Sequence, residues 1–219
     1  MDGIHDLGGM HGFGPVKIEK EDYIFRTDWQ RKAFGLTQAV AGVTPNFSAD
    51  VHRQEIERIR PADYLAMDYF DKWTTATGVL LENAGLVNRR ELQTGKKEFD
   101  VDRTPISAEV LVGAMKAGAQ LDFPNDPQPA KFKVGQTVRV VNTCKKGHTR
   151  VPRYLRRALG TILEDTGVFQ FADSIAAGQG RAPQHCYRVA FSAKSLWGED
   201  AEANDTINAD LWESYLEAA

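Results

Sequence analysis

Cysteine is nearly missing from this chain. Only Cys144 and Cys186 occur among 219 residues, far apart and in no CxxC pair. That excludes a zinc finger or a dithiol redox pair made by this chain alone. It leaves at most one disulfide, which a reducing cytosol would not keep. Long apolar runs are missing too, and none approaches the roughly 20 residues that cross a bilayer as a helix. The opening Met1-Asp2-Gly3-Ile4-His5-Asp6 carries acid where a secretory leader needs base, and no apolar core follows it. The expectation is a cytoplasmic protein with no membrane partner. An excess of base is also lacking. The 27 Lys and Arg stand against 30 Asp and Glu, a net charge of −3, so no overall field draws the chain to nucleic acid. There is no internal repeat and no low-complexity tract. What remains is the composition of a folded protein, 42% hydrophobic and 26% charged, long enough for one large domain or two small ones.

Glycine is plentiful at the start. Gly3, Gly8, Gly9, Gly12 and Gly14 interrupt any helix, and Pro15 stops one. Ile4, Leu7, Met10, Phe13 and Val16 are nevertheless apolar at near-regular spacing. Such a segment cannot bury itself, but it can lie along another surface. Residues 1–20 are therefore read as an extended arm that wraps a partner chain. The glycines are not a dinucleotide fingerprint, because no strand precedes them and no helix follows.

Residues 21–98 read as a helical unit. Thr27 offers an N-cap, followed by Trp29, Ala33, Leu36 and Val40 at helical spacing. Ser48 caps a second helix through about Arg60, with Val51, Ile56 and Ile59 on an apolar face and Arg53 four residues from Glu57 on another. Pro61 opens a short turn of helix. A longer helix runs from about Asp68 to Asn83, with Phe70, Trp73, Val79 and Leu80 mostly inward, and Asn88 starts a shorter one. Residues 99–130 are a linker with one helix near Ile106–Gln120, followed by Pro124, Pro127 and Pro129.

From residue 131 to 219 the period changes to two. Phe132–Val134, Val138–Val141, Thr161–Leu163, Val168–Phe171, Tyr187–Phe191 and Thr206–Leu211 read as short strands, and Leu196-Trp197-Gly198 as a turn. About five strands in under ninety residues suggest a small SH3-like barrel. The fold class expected is α+β and multidomain: arm, helical unit, barrel. Between two of the strands stands Gly147-His148-Thr149-Arg150-Val151-Pro152-Arg153-Tyr154. Pro152 biases Val151 away from helix, so Arg150 sits in extended or turn backbone. A histidine, a hydroxyl and a guanidinium within three residues on a strand-held loop make a candidate polar site. The same residues also read as a solvated basic loop.

Four stretches together carry a resemblance. MDGIHDLGGMHGFGPV, ERIRPADYLAMDYFDKW, GHTRVPRY and DTINADLWESYLE, in this order and at this spacing, resemble the beta subunit of nitrile hydratase over nearly the whole chain. The resemblance implies hydration of nitriles to amides at a cobalt(III) or iron(III) held by an alpha subunit through partly oxidised cysteines. This chain would bind no cofactor alone and supply no metal ligand. The partner implied is that alpha subunit, in an α2β2 assembly, with a small nitrile as substrate. Arg53 and Arg150 match the positions that meet the oxidised cysteine oxygens, a task suited to guanidinium because its planar fork donates to anions in pairs. Glu57 and His148 match positions that orient the site, Tyr69 a substrate-side tyrosine, and Phe70 and Trp73 positions that line the pocket. His52 stands where several relatives have an apolar or aromatic residue, and Lys72 where some have histidine. Trp73 and the GHTR form of the loop look more like the cobalt branch than the iron branch. From the residues alone two other readings stay open. One is a peptide- or nucleic-acid-binding module using the basic run Lys145–Arg157. The other is a metal-loading accessory protein, although such proteins are shorter.

Overall fold

The computed structural model describes residues 2–18 and 23–219. The expected junction between arm and helical unit falls at residues 19–22, outside them. The described residues form two compact units. One holds those of 1–2, 6–12 and 120–219, and the other those of 3–5 and 13–119.

In the helical unit the local signals fix where helices start. The Thr27 hydroxyl accepts the Gln30 N–H and opens α1 (Asp28–Ala41). Ser48 does the same for α2 (Ala49–Glu57) by accepting the Val51 N–H at 3.2 Å. α2 stops three residues short of the expected Arg60. Pro61 is the reason: it begins α3 (Pro61–Ala66) and holds Arg60 in extended backbone at ψ 138°. Asp68 and Asp71 form a capping box on α4 (Tyr69–Asn83), and Asn88 and Glu91 form another on α5 (Arg89–Thr94). Ser107 caps α6 (Ala108–Ala117).

α1 and α2 both pack on α4. The face that α2 buries is not the expected one. Val51, Ile56 and Ile59 are half-buried, whereas Asp50, His52, Gln54 and Glu55 are buried. These polar groups are tolerated because bonds satisfy them: Asp50 meets Arg53, Glu55 meets Arg58, and His52 meets α4. α1 likewise buries Ala33 and Thr37 but leaves Trp29 and Leu36 exposed. α6 buries nothing, and Val110, Val112 and Met115 face outward. Among the described residues no helix is long and apolar enough to cross a membrane.

The other unit is a five-stranded antiparallel sheet in the order β4-β3-β2-β1-β5. The strands are β1 (Thr137–Val140), β2 (Leu159–Phe169), β3 (Gln184–Ser192), β4 (Thr206–Trp212) and β5 (Leu216–Ala218). No ladder joins β4 to β5 among the described residues, so the sheet is open at the level of backbone hydrogen bonds. The two strands expected at Thr161 and Val168 are one. β2 runs unbroken through both, with register shifts between Ile162 and Glu164 and between Asp165 and Gly167 that bend it. Phe132–Val134 is not a strand. Phe132 instead buries its ring against Tyr187, 5.7 Å between centroids. The turn expected at Leu196–Gly198 is the end of a short helix, α8 (Ala193–Trp197), and a further short helix, α7 (Ala172–Ala176), follows β2. A 3-10 turn, Glu213–Tyr215, links β4 to β5. Val138, Val140, Leu155, Ile162, Tyr187, Val189, Phe191, Leu211 and Tyr215 form the core, all at most 1% exposed.

Part of the arm lies on this same unit. Asp2 pairs with Arg156, and the Asp6 carboxylate accepts the Arg153 N–H at 2.7 Å. Gly8 faces the Tyr154 ring so closely that an added Cβ would lie 2.5 Å from it.

Candidate functional site

Four of the residues singled out in the sequence surround one cleft of about 380 Å³ in the helical unit: His52, Arg53, Tyr69 and Trp73, joined by Thr37 and Phe47. α2 supplies the first two and α4 the next two, one turn apart. The floor is aromatic. Phe47 stacks on His52 at 5.4 Å, Trp73 meets the His52 ring edge-on at 5.3 Å, and Tyr69 lies 5.5 Å from Trp73.

His52 is held as a neutral ring. Its Nε2 lies 3.1 Å from the Trp73 carbonyl, which can only accept, and 3.2 Å from the Thr77 hydroxyl. That fixes the Nε2–H tautomer. Burial first, and then the Arg53 charge, push the His52 pKa below its ordinary value. Thr77 passes the chain on to Thr37, 3.1 Å away, so a buried line of hydroxyls ties α1, α2 and α4 together behind the cleft.

Arg53 stands at the rim with its side chain 51% exposed. Its Nη1 is 3.1 Å from Asp50, one turn before it on α2. The pairing with Glu57 that i,i+4 spacing suggests is not the one formed by Nη1. Glu57, half-buried, closes α2, and its charge contributes to raising the Tyr64 pKa after burial does. Phe70 does not line the cleft. It is 8% exposed and packs behind it against Phe25, Tyr69 and Trp73. Lys72 Nζ sits 4.1 Å over the Tyr64 ring.

His148 and Arg150 belong to the sheet unit. His148 is buried at 2% exposure, whereas Arg150 is exposed. The Arg150 N–H donates to the Tyr215 hydroxyl at 3.0 Å. Tyr215 in turn donates to Asp173, whose other carboxylate oxygen accepts from Lys145 at 2.7 Å. Burial first, and the Asp173 charge, drive the Tyr215 pKa far above the ordinary phenol value, so the hydroxyl stays protonated. Sequence reasoning passed over Asp173 and Tyr215 and read Lys145 only as the start of a basic run. Tyr215 lies inside the DTINADLWESYLE stretch, but nothing local announces a contact to residues 42 and 65 positions away. Asp50 and Thr77 were likewise missed. Among the described residues no three His, Cys, Asp or Glu side chains are clustered to hold a metal ion.

Comparison with known proteins decides the family. The profile "Nitrile hydratase beta subunit, N-terminal" matches residues 1–123, and "Nitrile hydratase beta subunit, C-terminal" matches residues 122–218. This chain belongs to the nitrile hydratase beta subunit family. It is 38% identical to the nitrile hydratase subunit beta of Pseudomonas putida, over 100% of both chains. It is 35% identical to the low-molecular weight cobalt-containing nitrile hydratase subunit beta of Rhodococcus rhodochrous, over 99% of each. Against the cobalt-containing nitrile hydratase subunit beta of Pseudonocardia thermophila it is 30% identical, over 99% of this chain and 96% of that one. The nitrile hydratase family is thus matched along the helical and sheet regions alike.

Proposed function

We propose that this chain is the beta component of a cytoplasmic nitrile hydratase, a hydro-lyase converting a small nitrile and water to an amide only when joined to an alpha subunit, in an α2β2 assembly. The observation that carries this reading is the full-length match to nitrile hydratase beta subunits, cobalt-containing ones among them. The metal, cobalt(III) rather than iron(III), belongs to the alpha subunit and supplies Lewis acidity to the hydration. This chain's residues fit a supporting part. Oxidised cysteine ligands are anions, and a buried anion needs charge-assisted donors. Arg53 offers such a fork at the rim of the aromatic cleft, with Asp50 orienting it through one nitrogen. Arg150 offers a second, exposed on its loop.

The cleft supports a substrate role for its walls. Trp73 and the neutral His52 ring would hold a small apolar nitrile, Tyr69 would stand on the substrate side, and Phe70 would brace Tyr69 and Trp73 from behind. Glu57 and His148 would orient the site and take part in moving protons between water and the nitrile nitrogen. The sheet is read as an SH3-like barrel on its 4-3-2-1-5 order, its bent β2 and the 3-10 turn before β5. The arm beyond residue 12, with Phe13, Val16 and Ile18 exposed, would reach the partner. Reconstitution tests this reading. The purified chain mixed with its alpha subunit should hydrate a small aliphatic nitrile, and neither chain alone should do so. A stable complex with no hydration of any nitrile would refute it.

A further inference from the structure

Both flanks of the segment that carries His148 and Arg150 are tied to one buried pair. Tyr215 is 1% exposed, and the Asp173 carboxylate to which it donates is 7% exposed. Upstream of His148, Lys145 Nζ reaches Asp173 at 2.7 Å and lies 5.2 Å over the Phe171 ring and 5.7 Å over the Tyr215 ring. Downstream, the Arg150 N–H reaches Tyr215 at 3.0 Å, and the Thr149 side chain bonds the same tyrosine. Neither member of the pair comes from the loop. Asp173 stands on α7 and Tyr215 on the 3-10 turn before β5. Burying a carboxylate is unfavourable without partners, and both partners named here lead to the loop. A guanidinium that must meet an anion on another chain works only from a backbone already fixed in place, since a displacement of about 1 Å can reduce rate a hundredfold.

We infer that Tyr215 and Asp173, with Lys145, are positioning residues that fix the backbone from which Arg150 presents its guanidinium. This rests on the role proposed above for Arg150. The sheet unit contains its own control. Tyr187 is also fully buried, and its hydroxyl also donates to a carboxylate, Glu213, at 2.8 Å. Glu213 accepts the Lys131 N–H instead of tying down the loop. Loss of either hydroxyl should weaken folding; only the loss at Tyr215 should reach the chemistry.

The test is steady-state hydration of a small nitrile by the assembled enzyme. Tyr215→Phe should lower kcat about tenfold, the effect of one lost hydrogen bond, with KM little changed. Tyr187→Phe should leave kcat at the wild-type value. Adding Tyr215→Phe to Arg150→Ala should give no further loss. A wild-type kcat for Tyr215→Phe, or an equal tenfold loss in the Arg150→Ala background, overturns the positioning role. Wild-type activity in Arg150→Ala overturns the role of Arg150 itself, which separates the two failures. If Tyr215→Phe does not fold, Asp173→Asn takes its place. In the free chain, amide hydrogen exchange at Arg150 should quicken in Asp173→Asn, and an unchanged exchange rate counts against the inference.

Discussion

Two histidines of this chain sit in opposite electrostatic settings. His185 places Nδ1 3.0 Å from Asp165 and Nε2 2.8 Å from the Gln128 carbonyl, two acceptors facing two ring nitrogens. Burial opposes the charged ring, but the Gln128 carbonyl and the Asp165 carboxylate outweigh it and raise the His185 pKa. Its folded value lies above the unfolded value of about 6.5, so the stabilisation is complete below that pH and is lost as pH rises through the folded value. The stability gap between wild type and His185→Gln, from urea unfolding, should therefore be wider at pH 6 than at pH 9. A gap independent of pH would contradict the arrangement. His52, with its pKa lowered, carries the opposite sign: its contribution is present above about pH 6.5 and falls away as pH drops through the folded value. The cysteines differ as well. Burial pushes the Cys186 thiol up to about 11, whereas Cys144 is exposed. Since the thiolate is the reactive form, iodoacetamide at pH 8 should label Cys144 in the native chain long before Cys186. Equal labelling rates, read by peptide mass, would mean that the β3 thiol is not buried.

At the scale of elements, what could be read from sequence was what is local. Thr27, Ser48 and Asn88 mark helix starts because a cap acts within three residues, and each caps the helix expected of it; Ser107, not singled out, caps α6 inside the stretch expected from Ile106. The buried face of α2 was illegible, since what makes it tolerable for His52 to be inside is a carbonyl 21 residues away on α4. β5 has three residues, too few for any period to show, and gains its place from β1. β2 was cut in two because its register shifts disturb the alternation that marks a strand. Arg53 could be singled out only through the resemblance, and Arg150 stood in a candidate polar loop that also read as a solvated one, for nothing in their own surroundings distinguishes an exposed arginine that meets a partner from one that meets water. Within β2, Gly160 is required by space: a Cβ there would lie 2.6 Å from Val189 and 2.7 Å from Phe191, both fully buried. Gly160→Ala should lower unfolding free energy by about 1–3 kcal/mol through overpacking, measured by urea denaturation. No change would show that the core there is looser than its geometry implies.

For the molecule as a whole, the distribution of apolar surface fits a chain made to be joined. Phe13, Val16, Ile18, Ile24, Trp29, Leu36, Val110 and Met115 are all exposed, and all lie in the unit that holds residues 13–119. The sheet unit gathers its core in one cluster and leaves fewer large apolar side chains outside it, Val134, Leu159, Leu163 and Trp197 among them. Family membership, the aromatic cleft on α2 and α4, and the exposed Arg150 support the proposal of a chain that lends guanidinium groups and pocket walls to chemistry centred elsewhere. The most direct measurement is steady-state nitrile hydration by the complex of this chain with its alpha subunit, wild type against Arg53→Ala and Arg150→Ala. Both variants should still assemble, and each should lose activity by about a hundredfold or more, the consequence of leaving buried anions unpaired. Near-wild-type turnover in both would contradict the central claim.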